Sequence, residues 1–223
     1  IANGIVGTGY NDTFFATQGN DKYEGGGGTV MVSGVKAWSN TGGLDIVDYK
    51  LAGDTPLTID LSKTGAQNTG FGTATFRNIE GLAGGHSADI FVDNAADNQF
   101  EGRGGNDNLI LTGGGRDTLL YKLLAASDAT GGNGSDDVYA FEVGAFAAWP
   151  NADRIDVREL LVGFTPANEA SYLKVSVVNG RDTVISVDRD GADGGFDFAP
   201  LLTLRGVQTD LATLLANQQL VMV

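Results

Sequence analysis

Aspartate recurs through this chain at nine-residue steps, each one after a run rich in glycine. Blocks following GGxGxDxUx, with U a large apolar residue, stand at 7–15 (GTGYNDTFF), 16–24 (ATQGNDKYE), 25–33 (GGGGTVMVS) and 40–48 (NTGGLDIVD). A second group stands at 84–92 (GGHSADIFV), 93–101 (DNAADNQFE), 102–110 (GRGGNDNLI), 112–120 (TGGGRDTLL) and 131–139 (GGNGSDDVY). The sixth place holds Asp12, Asp21, Asp45, Asp89, Asn98, Asp107, Asp117 and Asp136; only Val30 has lost its oxygen. Carboxylates beside the bare carbonyls of glycine turns are hard ligands, and Ca²⁺ takes about six to eight such oxygens. Mg²⁺ is too small and too attached to its waters for this set. With no cysteine and one histidine, thiolate and imidazole sites are out of reach. Several Ca²⁺ ions are therefore expected, held by these acids and by the turns at Gly105, Gly115 and Gly134.

Such ligands converge only if the turns stack. Glycine permits the positive φ of a tight turn, and the xUx that follows is a minimal strand with one side chain turned inward. The eighth place, which alignment on the acid leaves free, holds Phe14, Tyr23, Val32, Val47, Phe91, Phe100, Leu109, Leu119 and Val138, all apolar. Two blocks make one coil of a solenoid, so turns on one edge recur about every eighteen residues. That places Asp89 on Asp107, Asn98 by Asp117 and Asp117 by Asp136. Rungs about 4.8 Å apart bring neighbouring carboxylates to roughly 5 Å, where they repel by about 3 kcal/mol at an effective dielectric of about 20. The ladder calls for cations between its rungs.

Composition agrees. Among 223 residues, 34 are glycine, about 15% and roughly twice the usual share, with 4 prolines and no collagen period. The 28 acids and 14 bases leave a net charge of -14, which about half a dozen Ca²⁺ ions would nearly cancel. That charge excludes nucleic acid as a partner. No apolar run reaches the about eighteen residues of a membrane span, and a disulfide framework is excluded. IANGIVGTG lacks the basic start and apolar stretch of a signal peptide, so the chain is expected to begin within a longer protein.

The blocks resemble RTX nonapeptide repeats, the calcium-binding parallel β-roll of proteins exported by type I secretion, most strongly at 84–139 and more weakly at 7–48. The resemblance implies a mainly β fold, a parallel β-roll or β-solenoid with a small α+β C-terminal cap. Four segments are expected: degenerate repeats at 1–48, inserted spacer strands at 49–83, the calcium β-roll at 84–139 and the capping region at 140–223. In the spacer, LTIDL and ATFRNI read as an inserted hairpin. In the cap, NADRIDVRELL reads as a short helix with Asn151 or Asp153 as N-cap and Ile155, Leu160 and Leu161 on one side. VSVVNGRDTVISV reads as a hairpin turning at Asn179 and Gly180. Leu201 to Leu204 suggest a strand, DLATLLAN a helix capped by Thr209, and QLVMV a terminal strand.

LLYKLLAASDATGGNGSDDVYAFEVG, PNADRIDVRELL, VISVDRDG and the closing LRGVQTDLATLLANQQLVMV are similar, in that order, to the C-terminal target region of giant biofilm-associated adhesins of Gram-negative bacteria. From Ile79 to Val223 that similarity implies an uncleaved secretion signal read by an ABC-type exporter, a secreted or cell-surface home and a monomeric module serving adhesion. A surface glycan or protein receptor is the partner that adhesion implies. Leu211, Leu214, Leu215, Leu220 and Val221 carry the signal in that reading and ordinary core packing in the plain one.

Asp188, Asp190 and Asp193 in DRDGADGGFD alternate like the start of an EF-hand loop, without its flanking helices or its twelfth-place glutamate. A calcium site and a solvated acidic turn both suit them. His86 falls where repeat side chains face water, and Trp38 and Trp149 read as packing. There is no HExxH, GxSxG or phosphate loop, so no catalysis is expected within these residues. An exported enzyme with its catalytic domain upstream is the alternative, and a carbohydrate-binding module a third. Thr8, Thr13, Thr17 and Thr29 keep no common phase, which argues against an ice-binding face.

Overall fold

Glycine turns every few residues leave room only for short strands, and short strands gain stability by pairing with the next coil. A computed structural model describes residues 2–26, 29–32, 35–38, 43–191 and 194–223. Its strands are, in chain order, β1 (Ala2–Val6), β2 (Thr13–Phe15), β3 (Asn20–Glu24), β4 (Thr29–Val32), β5 (Val35–Trp38), β6 (Ile46–Asp48), β7 (Thr58–Asp60), β8 (Gln67–Asn68), β9 (Thr73–Arg77) and β10 (Gly81–Ala83). There follow β11 (Ile90–Val92), β12 (Gln99–Glu101), β13 (Asn108–Ile110), β14 (Thr118–Lys122), β15 (Asp136–Tyr139), β16 (Arg154–Glu159), β17 (Leu173–Val178), β18 (Asp182–Val187), β19 (Ala199–Arg205) and β20 (Leu220–Val221), with one α-helix, α1 (Leu211–Ala216).

Two seven-stranded sheets carry the fold. Sheet I runs β2-β6-β10-β12-β14-β16-β20 and sheet II runs β17-β18-β19-β15-β13-β11-β7. From β10 to β16 successive strands fall alternately in sheets I and II, and all of these pair in parallel with their neighbours. The fold is thus mainly β, with parallel sheets arranged like a β-roll. A smaller sheet, β1-β3-β9-β8, lies beside them, and β4 and β5 form a two-stranded ribbon.

Register sets the core. Phe14, Val47, Leu82, Phe100, Leu119, Ile155 and Leu220 align across sheet I, and Ile59, Phe91, Leu109, Val138 and Leu204 across sheet II. All twelve are buried, each contributing roughly 1.5–3 kcal/mol. Phe91 and Phe100 meet at 5.8 Å between ring centroids. Eight of the nine eighth-place residues are buried; the side chain of Val32 lies outside those described. Turns absorb the irregular spacing: equivalent acids are 18, 19, 29 and 36 residues apart while the strands after them stay aligned.

Three expectations are corrected. Residues 49–83 form no hairpin of LTIDL with ATFRNI; β7 joins sheet II, β9 the smaller sheet, and β10 extends sheet I. NADRIDVRELL holds strand β16 rather than a helix, because Ile155 and Val157, both 0% exposed, are two residues apart beside β14. Helix α1 is capped by Asp210, whose side chain accepts from the Thr213 amide at 2.7 Å, one residue beyond Thr209. The hairpin of β17 and β18 does turn at Asn179 (φ 54) and Gly180 (φ 61). The expected cap also supplies β16 and β20 to sheet I and β19 to sheet II.

Candidate metal centre

The residue just before each of the first six strands of sheet I, β2 to β16, forms a ladder of acids and amides: Asp12, Asp45, Glu80, Asn98, Asp117 and Asp153. Each rung is tied to the next through backbone. The Asp12 amide donates to Asp45 Oδ1 at 2.8 Å and the Asp45 amide to Glu80 Oε2 at 3.0 Å. The Asn98 amide donates to Asp117 Oδ1 at 2.8 Å and the Asp117 amide to Asp153 Oδ1 at 3.1 Å. Asn98, the neutral rung, instead gives its own Nδ2 to the Glu80 carbonyl at 3.0 Å. Sheet II carries a shorter ladder, in which Leu57 donates to Asp89 at 2.9 Å, Asp89 to Asp107 at 2.7 Å and Asp107 to Asp136 at 2.9 Å.

The carboxylates therefore do not face one another bare. An amide N–H stands between successive rungs and favours the charged form. Asp117 lies beside Asp153, and Asp136 beside Asp107. The expected pairing of Asp117 with Asp136 fails because the turn after β14 is longer, which moves Asp136 to sheet II. Asp153 and Glu80 were missed since they stand outside the nine-residue phase. Their signal was the acid two places before a buried aliphatic, Ile155 or Leu82.

Turns close on the same side chains. In the first-group and second-group turns the second-place amide donates to the sixth-place side chain: Thr8 to Asp12 at 2.5 Å, Gly85 to Asp89 at 3.1 Å and Asn94 to Asn98 at 3.0 Å. Asp21 accepts from the Thr17 hydroxyl at 3.1 Å and the Tyr23 hydroxyl at 3.2 Å, and Asp136 from the Tyr121 hydroxyl at 2.9 Å. Gly105 (φ 123), Gly115 (φ 103) and Gly134 (φ 77) adopt the left-handed region. A Cβ at Gly105 would strike the backbone of Ser87, and one at Gly134 the carbonyl of Gly105. Only glycine lets adjacent turns approach so closely.

Three acids of the ladders keep an unused oxygen. Oδ2 of Asp45, of Asp107 and of Asp117 is buried without a hydrogen-bond partner, and none of the acids on either ladder takes part in an ion pair among the described residues. Burial pushes the Asp117 carboxyl up to about 8, Asp153 to about 7, and Asp45 and Asp89 to about 6. Asp107 is raised by burial and by the charge of Asp136. A polar cleft of about 330 Å³ opens between turns, lined by Gly113, Gly114, Gly115, Glu142, Asn151 and Asp153. No three of His, Cys, Asp and Glu converge among the described residues. A hard cation here would be held by one or two carboxylates and completed by turn carbonyls, and the orphaned oxygens fit that role.

Of the other candidates, Asp188 and Asp190 come together after β18, while Asp193 lies outside the described residues. His86 is exposed, 3.9 Å from Asp54. Trp149 is 53% exposed, resting against Gly144 rather than inside the core. The side chain of Trp38 lies outside those described. Leu214 and Leu220 are buried, with Leu211 and Leu215 packed partly against the core. No described helix is long and apolar enough to cross a membrane.

No protein-family model matches the sequence, and no curated protein matches it. Among solved structures, the extracellular lipase LipA from Serratia marcescens is similar over 100% of this chain and 38% of its own, at 17% identity and a TM-score of 0.37. The chain thus spans less than two-fifths of that protein's length.

Proposed function

We propose that this chain is a calcium-dependent folding and export module of a type I-secreted surface adhesin. The observation that carries the reading is the set of buried, partnerless oxygens on Asp45, Asp107 and Asp117 within stacked glycine turns. Bound Ca²⁺ supplies the positive charge that lets these carboxylates stay ionised in a buried place. Where calcium is scarce, the acids favour solvent and the repeats stay open enough to thread an exporter. Outside the cell, an ion that binds only the folded chain stabilises it by RT ln(1 + [Ca]/K) per site, and sites of roughly 10⁻⁴ to 10⁻³ M suffice at millimolar calcium. The order of the terminal motifs, with Leu214 and Leu220 packed at the end of the fold, supports a C-terminal secretion signal from which folding starts as the chain emerges, and a passenger of the adhesin type.

The test is circular dichroism during a calcium titration near pH 7.5. A cooperative gain of β signal with a midpoint between about 0.1 and 1 mM is expected. A complete β spectrum in excess chelator overturns the proposal.

A further inference from the structure

The end of β18 holds a second pair of acids away from both ladders. Asp188 is 7% exposed, and its amide donates to the Tyr172 carbonyl at 2.9 Å. Its carboxylate abuts that of Asp190. Oδ1 of each is shielded from solvent and has no hydrogen-bond partner among the described residues. The base between them turns elsewhere: Arg189 donates Nε to the Asp128 carbonyl at 2.8 Å and Nη2 to the Ala126 carbonyl, with its guanidinium 3.9 Å above the Phe196 ring. Arg189 is thus spent on the 126–128 loop and leaves the two acids uncompensated.

The surrounding chain turns back around the pair. The Gly191 amide donates to the Asp188 carbonyl at 3.3 Å, and the Gly195 amide to Asp190 Oδ2 at 3.2 Å. Gly191 has φ 64 and lies against the Tyr172 ring, where a Cβ would collide. Every donor atom here is oxygen, and Asp190 is only half-buried, so an ion can enter from solvent. Backbone amides of Asp190 and Gly191 reach the Asp188 carboxylate and that of Gly195 reaches Asp190, but two adjoining carboxylates that each keep a buried oxygen without a donor form an arrangement that a hard divalent cation satisfies.

We propose that Asp188 and Asp190 hold a Ca²⁺ ion separate from the repeat ladder, pinning the loop after β18. The same loop is joined to Tyr172 by the Asp188 amide, to Val162 by the Arg189 carbonyl at 2.8 Å and to the 126–128 loop by the Arg189 side chain. The ion fastens the β17–β18 hairpin to turns that the nonapeptide sites do not reach.

Native mass spectrometry of the whole chain in saturating calcium reads the number of ions bound. Asp188→Asn with Asp190→Asn is expected to bind one ion fewer than the parent while keeping its calcium-dependent β signal. An unchanged count overturns the proposal and leaves a proton shared between the acids. Terbium luminescence excited through tyrosine gives a second reading. The component that Tyr172→Phe removes is expected to vanish in Asp190→Asn as well, and its persistence there overturns the site even if the double variant does not fold. Asp107→Asn with Asp117→Asn tests the ladder instead. A chain that folds fully in chelator sinks the export proposal, yet leaves the one-ion difference at Asp188 and Asp190 intact.

Discussion

Asp45 precedes and Asp48 ends the same short strand, β6; both are buried, and they meet opposite fates. Asp48 is gripped by Arg103 at 2.7 and 2.9 Å. Burial pushes its carboxyl up, but the Arg103 hydrogen bonds and charge, with help from Lys50, hold it below the ordinary range. Asp45 accepts the Asp12 amide at 2.8 Å, keeps Oδ2 without a partner and is pushed up to about 6 by burial. The pattern repeats along sheet I. Glu101, the last residue of β12, is bound by Arg103 at 3.2 Å and Lys122 at 2.8 Å, and Asp156 in β16 by Arg158 at 2.6 Å. Along sheet I the bases Arg103, Lys122 and Arg158 thus serve the acids at or past the inward-facing residue, and the acids just before the strands have no basic partner among the described residues.

The largest effect expected from this asymmetry is the response to chelation. With calcium about 100-fold above its dissociation constant, each site adds about 2.7 kcal/mol, so three sites at Asp45, Asp107 and Asp117 would supply roughly 8 kcal/mol. That is most of the stability of an ordinary domain. Excess chelator near neutral pH is expected to move the urea midpoint close to zero, leaving only a residual transition. Raising NaCl to about 1 M in calcium screens mainly the ion pairs of these bases and should lower stability by about 1 kcal/mol. Equal sensitivity to both would erase the distinction between the two sets of acids.

Single substitutions come next. Asp48→Ala takes the bidentate partner from the Arg103 guanidinium, whose side chain is 16% exposed and keeps only Glu101 and the Gly84 carbonyl, and should cost roughly 2–3 kcal/mol with or without calcium. Asp45→Asn retains an acceptor for the Asp12 amide. It should cost under about 1 kcal/mol in chelator while moving the calcium midpoint upward about tenfold. Urea unfolding in the two conditions separates them, and a calcium-dependent effect of Asp48→Ala would contradict the comparison.

The core of this arrangement was legible in the sequence because the inward residue and the acid share one nine-residue phase. Phe91, Phe100, Leu109 and Leu119 pack where that phase puts them, and Asp89 does reach Asp107. Legibility ended where turns changed length. Strand pairing conserves register rather than spacing, so Asp153 can serve as the next rung 36 residues after Asp117, beyond any fixed period. RIDVRELL was misread for a related reason: Leu160 and Leu161 extend the apolar pattern past the strand, while the inward pair is Ile155 and Val157. The amides between carboxylates were invisible too, since side-chain patterns carry no backbone hydrogen bonds.

Acidity should act in opposite directions with and without calcium. Asp117, Asp153, Asp45 and Asp89 have folded values raised to about 8, 7, 6 and 6 from an ordinary 3.8. Their contribution is therefore full below about pH 4 and is lost as pH rises from about 6 to 8. In chelator the chain should be more stable at pH 5 than at pH 8, by roughly 2–4 kcal/mol after relaxation. In calcium the sign reverses, because protons compete with the ion for the same oxygens. Urea midpoints at the two pH values decide the matter, and a calcium-free chain that gains stability on going to pH 8 would refute it.

The smallest effect tests whether position in the strand or mere pairing governs these acids. Asp156 lies inside β16, three residues past Asp153 as Asp48 lies three past Asp45, but Arg158 is 53% exposed, so their ion pair is hydrated and worth about 0.5 kcal/mol. Asp156→Asn should lower stability by about that much and leave the calcium midpoint unmoved. Three residues upstream, Asp153 has both oxygens occupied, one by the Asp117 amide at 3.1 Å and the other by the Glu142 amide at 2.8 Å. Asp153→Asn replaces one of those acceptors with a donor and should cost more, about 1–3 kcal/mol, with a smaller calcium shift than Asp117→Asn, whose Oδ2 is the free one. If Asp153→Asn shifted the midpoint as far as Asp117→Asn, every acid just before a strand would be a ligand regardless of its own hydrogen bonds. If only Asp117→Asn did so, the orphaned oxygens alone would mark the ions.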